Sequence, residues 1–455
     1  MINLESANSS YRRDLGDGLI LRWSTSDDTE GIAQLVGLVF RDREDEPLNT
    51  PLEHLMRELM SGTHPVMGAG DFALVEDTRK QGNSLVACTC LWRHTWEYEG
   101  IPFKIGRPEI VATDPGYRNR RLIRAVFEVI HARSEAEGHL VQAITGIPYF
   151  YRLFGYEYAL DLGGRCSVYI PLIPQAKEDA PEPFSLRDAS WEDIPLVQQL
   201  YDQQRASGVV SALIDEAWWR YQITSGRAAL SGEGWHIQMI VDSAGQSQGY
   251  VITPPTRWQD SLRVIDLAFA SGANVQAIMP SLLRSLAGQG AQLPMRESGA
   301  YPFSRIAFNL GRSHPVYDVL EKSMPTRQEA PYAWYVRVAH LPNFMQLIAP
   351  VLERRLASSV VAGYSGELRF DFYRGGLRMF FERGRLRTVE DWRSPIWNAN
   401  EDGGFPPLVF LQLLFGYRSL DALRSAFPDV WVNENVELLV NTLFPYRPSR
   451  VLSLG

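Results

Sequence analysis

The chain has 455 residues, of which 45% are hydrophobic and 22% are charged, and this composition predicts a globular protein of roughly two to four domains. Its formal net charge of −8 argues against a nucleic-acid-binding protein, because such proteins usually carry a basic face. The three cysteines have no regular spacing, which argues against a disulfide scaffold and indicates a reducing compartment.

The N-terminal segment is polar, and no apolar run is long enough to span a membrane. The sequence therefore predicts a cytoplasmic protein. Cys88 and Cys90 alternate within an apolar run, which predicts that both side chains pack on one face of a strand. Histidine and cysteine partners at zinc-like spacing are missing from the sequence around them, so we expect no metal site.

An internal repeat appears near the N-terminus and again before the middle of the chain. Residues 21–35 and 186–200 carry the same pattern of a short strand followed by a helix. Thr25 or Ser190 would cap the helix, and an aspartate three residues later would favour its free N–H groups and its dipole. The constant offset between the two segments favours two copies of one domain.

Alternating strands and helices follow the first copy of this repeat. Three alternating runs, from Asp71, Ser84 and Ile101, predict antiparallel strands, the last two joined by a hairpin at Glu99–Gly100. A helix is expected from about Arg121 to Glu137, followed by a buried strand and a short helix. This order of elements predicts a mixed α/β sheet.

The rest of the chain divides at changes of composition. A proline- and charge-rich stretch from Ile173 predicts a linker, and a softer break lies near Ala339–Pro342. Residues 366–389 alternate strictly and predict a hairpin that turns at Arg374–Gly376. Two helices complete a small α+β domain, whose apolar face is either its core or a groove.

The stretch DPGYRNRRLIRAVFE, residues 114–128, places four arginines around the start of a predicted helix. Backbone N–H groups at a helix N-terminus attract anions, and the guanidinium group suits phosphate geometry. Taken alone, the stretch is also compatible with a solvated basic turn.

Residues 110–160 resemble the signature of the GNAT acetyltransferase superfamily, and the layout of the whole chain resembles its enhanced intracellular survival (Eis) branch. The resemblance implies an α/β (α+β) fold with two tandem GNAT-type mixed-sheet domains and a C-terminal domain like a sterol carrier protein. We therefore expect a catalytic GNAT domain at 1–172, a linker at 173–183, a degenerate GNAT domain at 184–338, and the sterol-carrier-like domain with its tail at 339–455.

The resemblance also implies acetyl-CoA as co-substrate, and a gap in the sheet beside the end of the strand IVAT. The residues expected to bind it lie at the strand end and in the arginine-rich turn: Val111, Ala112, Thr113, Arg118, Asn119, Arg120, Arg121, Leu122, Ile123 and Arg124. The loop pattern of the family is Arg/Gln-x-x-Gly-x-Gly/Ala. Arg118 fits its first place, whereas Arg121 and Ile123 replace the two glycines. Arg121 would be strained at a positive φ, and it would add a phosphate contact if its backbone is helical.

Tyr151 matches the tyrosine that the family uses to protonate the departing thiolate of coenzyme A. A phenol, with an ordinary pKa of about 10, can return a proton to a thiolate; a core aromatic is the alternative interpretation. For the base, the resemblance implies the C-terminal carboxylate, here that of Gly455. Glu109, acting through a water, is an alternative, unless it only pairs with Arg107.

The function implied by the resemblance is transfer of acetyl, by direct attack, to a primary amine of a small cationic acceptor that is aminoglycoside-like, polyamine or lysine-like. It also implies a homo-oligomer, with a hexamer as one option. The second domain lacks the arginine loop and an equivalent of Tyr151, so we expect it to bind no acetyl-CoA and to wall the substrate cleft. The alternative is a non-catalytic lipid- or ligand-binding protein with vestigial acetyltransferase domains, which Arg121 and the Phe-rich hairpin favour.

Overall fold

The computed structural model of the protein describes residues 4–41, 43–176, 181–296, 301–393 and 401–453. Within these ranges the strands follow in chain order: β1 (Arg12–Gly16), β2 (Leu19–Trp23), β3 (Phe72–Asp77), β4 (Leu85–Tyr98), β5 (Ile101–Thr113), β6 (Val141–Ile144), β7 (Glu157–Leu162), β8 (Arg165–Tyr169), β9 (Phe184–Asp188), β10 (Val210–Leu213), β11 (His236–Asp242), β12 (Ser247–Thr253), β13 (Ser261–Val264), β14 (Asp266–Phe269), β15 (Arg305–Phe308), β16 (Arg327–Glu329), β17 (Tyr332–Val338), β18 (Gly366–Asp371), β19 (Gly376–Glu382), β20 (Arg385–Asp391), β21 (Gly403–Gly404) and β22 (Trp431–Val432).

The helices of the same ranges also follow in chain order: α1 (Thr29–Val39), α2 (Thr50–Met60), α3 (Leu122–Ala136), α4 (Ile194–Arg205), α5 (Glu216–Ser225), α6 (Val275–Gln292), α7 (Pro315–Ser323), α8 (Leu341–Leu347), α9 (Ala349–Ala357), α10 (Phe410–Leu414), α11 (Leu420–Ala426) and α12 (Glu434–Leu443). Within the described part of the chain, no helix has the length and apolar character needed to cross a membrane. The mixed α/β fold expected from the sequence is confirmed by these elements.

The largest sheet has the strand order β1-β2-β3-β4-β5-β6-β17-β7, and β10 pairs with the far end of β4. The hairpin of β4 and β5 is its centre, and it turns at Glu99 and Gly100, as the sequence predicts. Cys88 and Cys90 are both buried in one core cluster against α1 and α2. The centre of this sheet is therefore packed on both faces, which fixes the strands that border the candidate site.

We use "first half" for residues 1–172, "second half" for residues 184–338 and "C-terminal part" for residues 339–455. Each half contributes strands to a sheet of the other: β10 and β17 of the second half join the largest sheet, and β8 of the first half joins a sheet of the second. β17 of the second half lies between β6 and β7, whereas β8 of the first half lies between β15 and β16. Every one of these pairings is antiparallel. The predicted division into domains stays a prediction, and these strands cross it.

The repeat found in the sequence corresponds to the same local structure in both halves. Arg22 bonds the carboxylate of Asp28 through both terminal nitrogens, at 2.8 and 2.7 Å. Arg187 bonds Asp193 in the same way, at 2.7 and 2.6 Å. Each aspartate also completes a capping box, with Thr25 in the first half and with its serine counterpart in the second. The expected helix caps therefore form in both places.

The C-terminal part contains a further sheet, in the order β20-β19-β18-β21-β22. The apolar residues of its predicted hairpin are fully buried: Leu368, Phe370, Leu377, Met379 and Phe381. The ring of Phe370 lies 5.3 Å from the rings of Phe405 and of Phe410, which faces it from α10. The apolar face left open by the sequence as either core or groove is thus packed as core.

The chain end passes between the two halves. Ser449 accepts hydrogen bonds from the backbone N–H groups of Val209 and Val210, at 3.2 and 2.8 Å. Arg450 donates to the carboxylate of Asp266 at 2.7 Å, and Leu452 is 7% exposed. The tail is therefore anchored in the second half through residue 452.

Candidate active site

The sheet opens between β5 and β6, at the place where the sequence predicts a gap. These strands run parallel and pair only at Ile105 and Gly106 of β5, and among the described residues the ladder goes no further. A bulge bends β5 beyond this point, because two of its residues face one of β4 between the pairs Cys88↔Ala112 and Cys90↔Glu109. The gap consequently widens toward the end of β5.

Two residues of β5 direct backbone groups into this gap. The N–H of Asp114 donates to the carbonyl of Val86 on β4, at 2.9 Å. Because backbone groups alternate along a strand, Val111 and Thr113 turn theirs to the opposite side, toward β6. The hydroxyl of Thr113 is buried without a hydrogen-bond partner among the described residues. An extended ligand with amide groups would find partners along this edge.

The arginine-rich turn leads directly from this edge into α3. Asn119 and Arg121 both have a positive φ, and Arg121 is left-handed at φ 61° and ψ 19°. Arg121 therefore has the left-handed conformation and not the helical one. A glycine adopts this conformation without cost, whereas another residue pays on the order of 1 kcal/mol or more. Arg121, which replaces a glycine of the family pattern, thus has a strained backbone.

This turn leaves the start of α3 open to a ligand. The first bond within the helix joins Ala125 to the carbonyl of Arg121, and no side chain caps the helix. The N–H groups of Leu122, Ile123 and Arg124 have no backbone acceptor before them in the helix. Backbone donors in this arrangement, together with the helix dipole, suit a phosphate group.

The arginines of the turn supply uncompensated positive charge. Their side chains are exposed, and none has an acidic partner within the part of the chain that the structure describes: Arg118, Arg120, Arg121 and Arg124. The guanidinium of Arg120 lies 4.7 Å from the ring of Tyr117, and that of Arg124 lies 5.8 Å from the ring of Phe154. These side chains remain available to an anionic ligand.

Tyr151 begins a 3-10 helix, Tyr151–Phe154, and is 3% exposed. A Cβ placed on Gly146 would lie 3.1 Å from the Tyr151 hydroxyl, so the glycine, at φ 139°, leaves space at the hydroxyl end of the side chain. Burial raises the pKa of Tyr151 well above its usual value, and the charge of Glu109 adds to the effect. The phenol therefore keeps its proton at neutral pH.

Glu109 lies in a buried ion pair. Arg107 donates to its carboxylate at 2.7 Å, and the Glu109 side chain is 13% exposed. The guanidinium of Arg107 lies between two indole rings, 5.1 Å from Trp92 and 4.8 Å from Trp334. Burial raises the pKa of Glu109, and the charge and hydrogen bond of Arg107 oppose that rise. A carboxylate with a raised pKa is a stronger base than an ordinary one.

A cavity of about 630 Å³ lies between the first half and β10 with α5 of the second half. His94, in its wall, lies 3.4 Å from Arg107 through Nε2. Burial lowers the pKa of His94 well below its usual value, and Arg107 lowers it further. The cavity is also lined by Lys104, Asp215 and Trp218. Arg107 and Glu109 are not among its lining residues, and His94 is the wall residue that contacts the pair.

The structure thus brings Glu109, Tyr151 and the end of β5 to one region, with the turn and α3 beside it. Gly455, the other expected base, lies outside the described residues. The sequence did not single out Trp334, whose ring contacts Arg107, or Tyr335, whose ring lies 5.3 Å from that of Tyr151. Their alternation in β17 is visible in the sequence, but only the sheet order places that strand beside the site.

Comparison with known protein families matches residues 21–159 to the acetyltransferase (GNAT) domain. That range includes the gap, the arginine-rich turn and Tyr151. The chain therefore contains a GNAT-type acetyltransferase domain. A comparison with curated protein sequences finds no match.

Solved structures of low sequence identity share the fold over almost the whole chain. A probable N-acyltransferase from Enterococcus faecalis V583 is 14% identical, with a TM-score of 0.66, covering 96% of this chain and all of that one. A GCN5-related N-acetyltransferase from Kribbella flavida is 17% identical, with a TM-score of 0.62 and the same coverage. Eis1 from Mycobacterium abscessus is 14% identical, with a TM-score of 0.55, covering 96% of this chain and 99% of that one. At these identities the similarity is one of fold.

Proposed function

We propose that this protein is an acetyl-CoA-dependent N-acetyltransferase that transfers acetyl to a primary amine of a small cationic acceptor. The observation that carries the proposal is the gap between β5 and β6, with the open start of α3 on one side and the buried Tyr151 on the other. The GNAT domain match over the same residues supports it.

Binding of acetyl-CoA would use two groups of residues. The backbone of Val111 and Thr113 would pair with the pantetheine amides, with Ala112 between them. The pyrophosphate would accept hydrogen bonds from the N–H groups of Leu122, Ile123 and Arg124. The positive charge of the exposed arginines of the turn would hold the phosphates, and Asn119 lies in the same turn.

Chemistry would follow by direct attack of the amine. Glu109 would take the proton of the incoming ammonium, through a water, because its raised pKa makes it a competent base. The new C–N bond forms as the C–S bond breaks, and Tyr151 would give its proton to the departing thiolate. The nitrogen would lose its second proton as the amide forms, and this proton, carried by water, would restore the tyrosine. Gly455 remains the second candidate for the base.

The acceptor would enter through the cavity beside His94, between the two halves. This proposal gives the second half the role of a wall, as the sequence predicts. A cytoplasmic location and a homo-oligomer, for which the sequence left a hexamer as one option, remain predictions.

Calorimetry with acetyl-CoA tests the first part of this function. We expect one site per chain with a sub-millimolar dissociation constant, followed by thiol release when polyamine and aminoglycoside acceptors are screened. A titration without heat at sub-millimolar cofactor would contradict the proposal.

The alternative, a lipid carrier with vestigial acetyltransferase domains, has less support. Its candidate ligand face in the C-terminal part is packed as core, with Phe370 against Phe405 and Phe410. Organic extraction of the purified protein should therefore yield no stoichiometric lipid, and recovery of one lipid per chain would favour the alternative.

A further inference from the structure

The second half contains a gap like the one in the first half. β13 runs parallel to β15 over its whole length, and β14 then leaves that pairing and follows β12. The N–H of Ala270 donates to the carbonyl of Gln248 at 2.8 Å, the same relation that joins Asp114 to Val86. By the alternation of a strand, Leu267 and Phe269 turn their backbone groups toward the gap.

The gap opens into a cavity of about 880 Å³. Its walls are mainly apolar and come from α4, β14, α6, α7 and the tail: Leu200, Leu267, Phe269, Val275, Val316 and Leu452. One polar atom in the wall is unsatisfied, since Oε1 of Gln204 is buried without a hydrogen-bond partner among the described residues. A ligand N–H or O–H would remove the cost of leaving this acceptor unpaired.

This second gap has no phosphate anchor. The side chain of Asn274 caps α6 by accepting from the N–H of Ala277 at 3.1 Å, whereas α3 is uncapped. Residues 270–276 contain no lysine or arginine. Three arginines line the cavity, Arg205, Arg312 and Arg450, and each is already paired with a carboxylate. A neutral ligand is therefore favoured over a nucleotide.

The narrow end of the gap is already filled. Arg450 donates to the carbonyl of Ile265 and to the carboxylate of Asp266, both at 2.7 Å. The hydroxyl of Tyr317 lies 2.9 Å from the carbonyl of Phe308 and accepts from the N–H of Leu310. Tyr201, the other tyrosine of the cavity wall, donates to the carbonyl of Ala212 at 2.8 Å. Both phenol protons are therefore already engaged, which favours a binding site over a catalytic one.

We propose that this second gap is a non-catalytic binding site for a neutral chain that carries amide groups, of the pantetheine type without its nucleotide. The free edge of β14 is short, because the ring of His314 already bonds the backbone of Leu267. It suits a chain with two amides better than a peptide strand, which needs a longer edge. Gln204 would accept from one of those amides.

Calorimetry on the full chain tests this site. The first gap is saturated with coenzyme A, and pantetheine is then titrated. We expect one additional site per chain, and 4′-phosphopantetheine should bind no more tightly than pantetheine because no anchor receives its phosphate. Gln204→Leu should weaken pantetheine at least fivefold, and Gln199→Leu, an exposed position of the same helix, should leave it unchanged.

Val275→Trp, which fills the cavity from its rim, gives a second variant and should abolish the additional site. Circular dichroism checks that each variant is folded. Absence of pantetheine binding beside coenzyme A, or equal binding by the Gln204 and Gln199 variants, would overturn the proposal. If coenzyme A itself does not bind, the proposed acetyltransferase function fails, but the pantetheine titration, run alone on the same variants, still decides this site.

Discussion

Arg107 holds the carboxylate of Glu109 from 2.7 Å away, on the strand edge where the sheet begins to open. The titratable groups around this pair come from several elements. Arg107 shares the strand of Glu109, Cys90 of β4 and Tyr151 of the 3-10 helix interact with the carboxylate, and His94 of β4 contacts Arg107. Of these, Arg107 is the cation, and it keeps the pKa of Glu109 below the value that burial alone would give.

Removal of this cation should change the pH dependence of the reaction. In Arg107→Gln the pKa of Glu109 should rise, so the acid limb of kcat/KM should move to higher pH by about 1 unit. Arg107→Lys keeps the charge and should restore most of the profile, although the planar stacking between the indoles is lost. Arg378→Gln, on β19 of the C-terminal part with its partner Glu390 on β20, is the control; an unmoved limb in Arg107→Gln would remove Glu109 from the role of base.

Tyr151→Phe should separate turnover from binding. Loss of the proton donor should lower kcat by about 100-fold or more, while the dissociation constant of acetyl-CoA measured by calorimetry changes less than about twofold. Tyr149→Phe is the matched control, because its side chain is 72% exposed and lies outside the gap. Equal turnover in the two variants would return Tyr151 to the role of a core aromatic.

Arg121→Gly tests the strained turn. Glycine adopts the left-handed conformation freely but loses more entropy on folding, so the free energy of unfolding should change by less than about 1 kcal/mol. The affinity for acetyl-CoA should fall several-fold and become less sensitive to salt, because one cation is lost. Arg121→Asn, which tolerates the same conformation, should behave alike; unchanged affinity in both would show that this side chain does not reach the phosphates.

Arg450→Met should destabilise the protein by about 3 kcal/mol, because it leaves the fully buried carboxylate of Asp266 without its cation. Adding Asp266→Asn removes that charge and should recover much of the loss. Urea unfolding of both single variants and the double variant measures the coupling. Additive effects would mean that the pair contributes little to holding the tail.

The sequence predicted the local features of the site well. The strand end, the basic turn, the helix after Arg121 and the short helix at Tyr151 depend on residues close together in the chain, and their periodicity and caps are visible there. The bend of β5 was not predicted, because Ile110 adopts a positive φ that a β-branched residue rarely takes. The bend of β5 coincides with its irregular pairing with β4, and such a pairing cannot be read from neighbouring residues in the sequence.

The residues that complete the site were beyond local prediction. Trp334 and Tyr335 belong to a strand almost two hundred positions after Tyr151, and only the order of the sheet brings them to Arg107 and Tyr151. The same holds for the packed core of the C-terminal part. Alternation of Leu368 and Phe370 shows that one face is apolar, but tertiary packing decides what covers that face.

The exchange of β8 and β17 makes the two halves dependent on each other. If the chain were cut at residue 172, β6 and β7 would each lose the neighbour that separates them, and bare strand edges promote aggregation. The shortened protein would also lack the indole of Trp334 beside Arg107. The first half therefore depends on strands of the second half for a complete sheet, and a deletion that removes one half also disturbs the other.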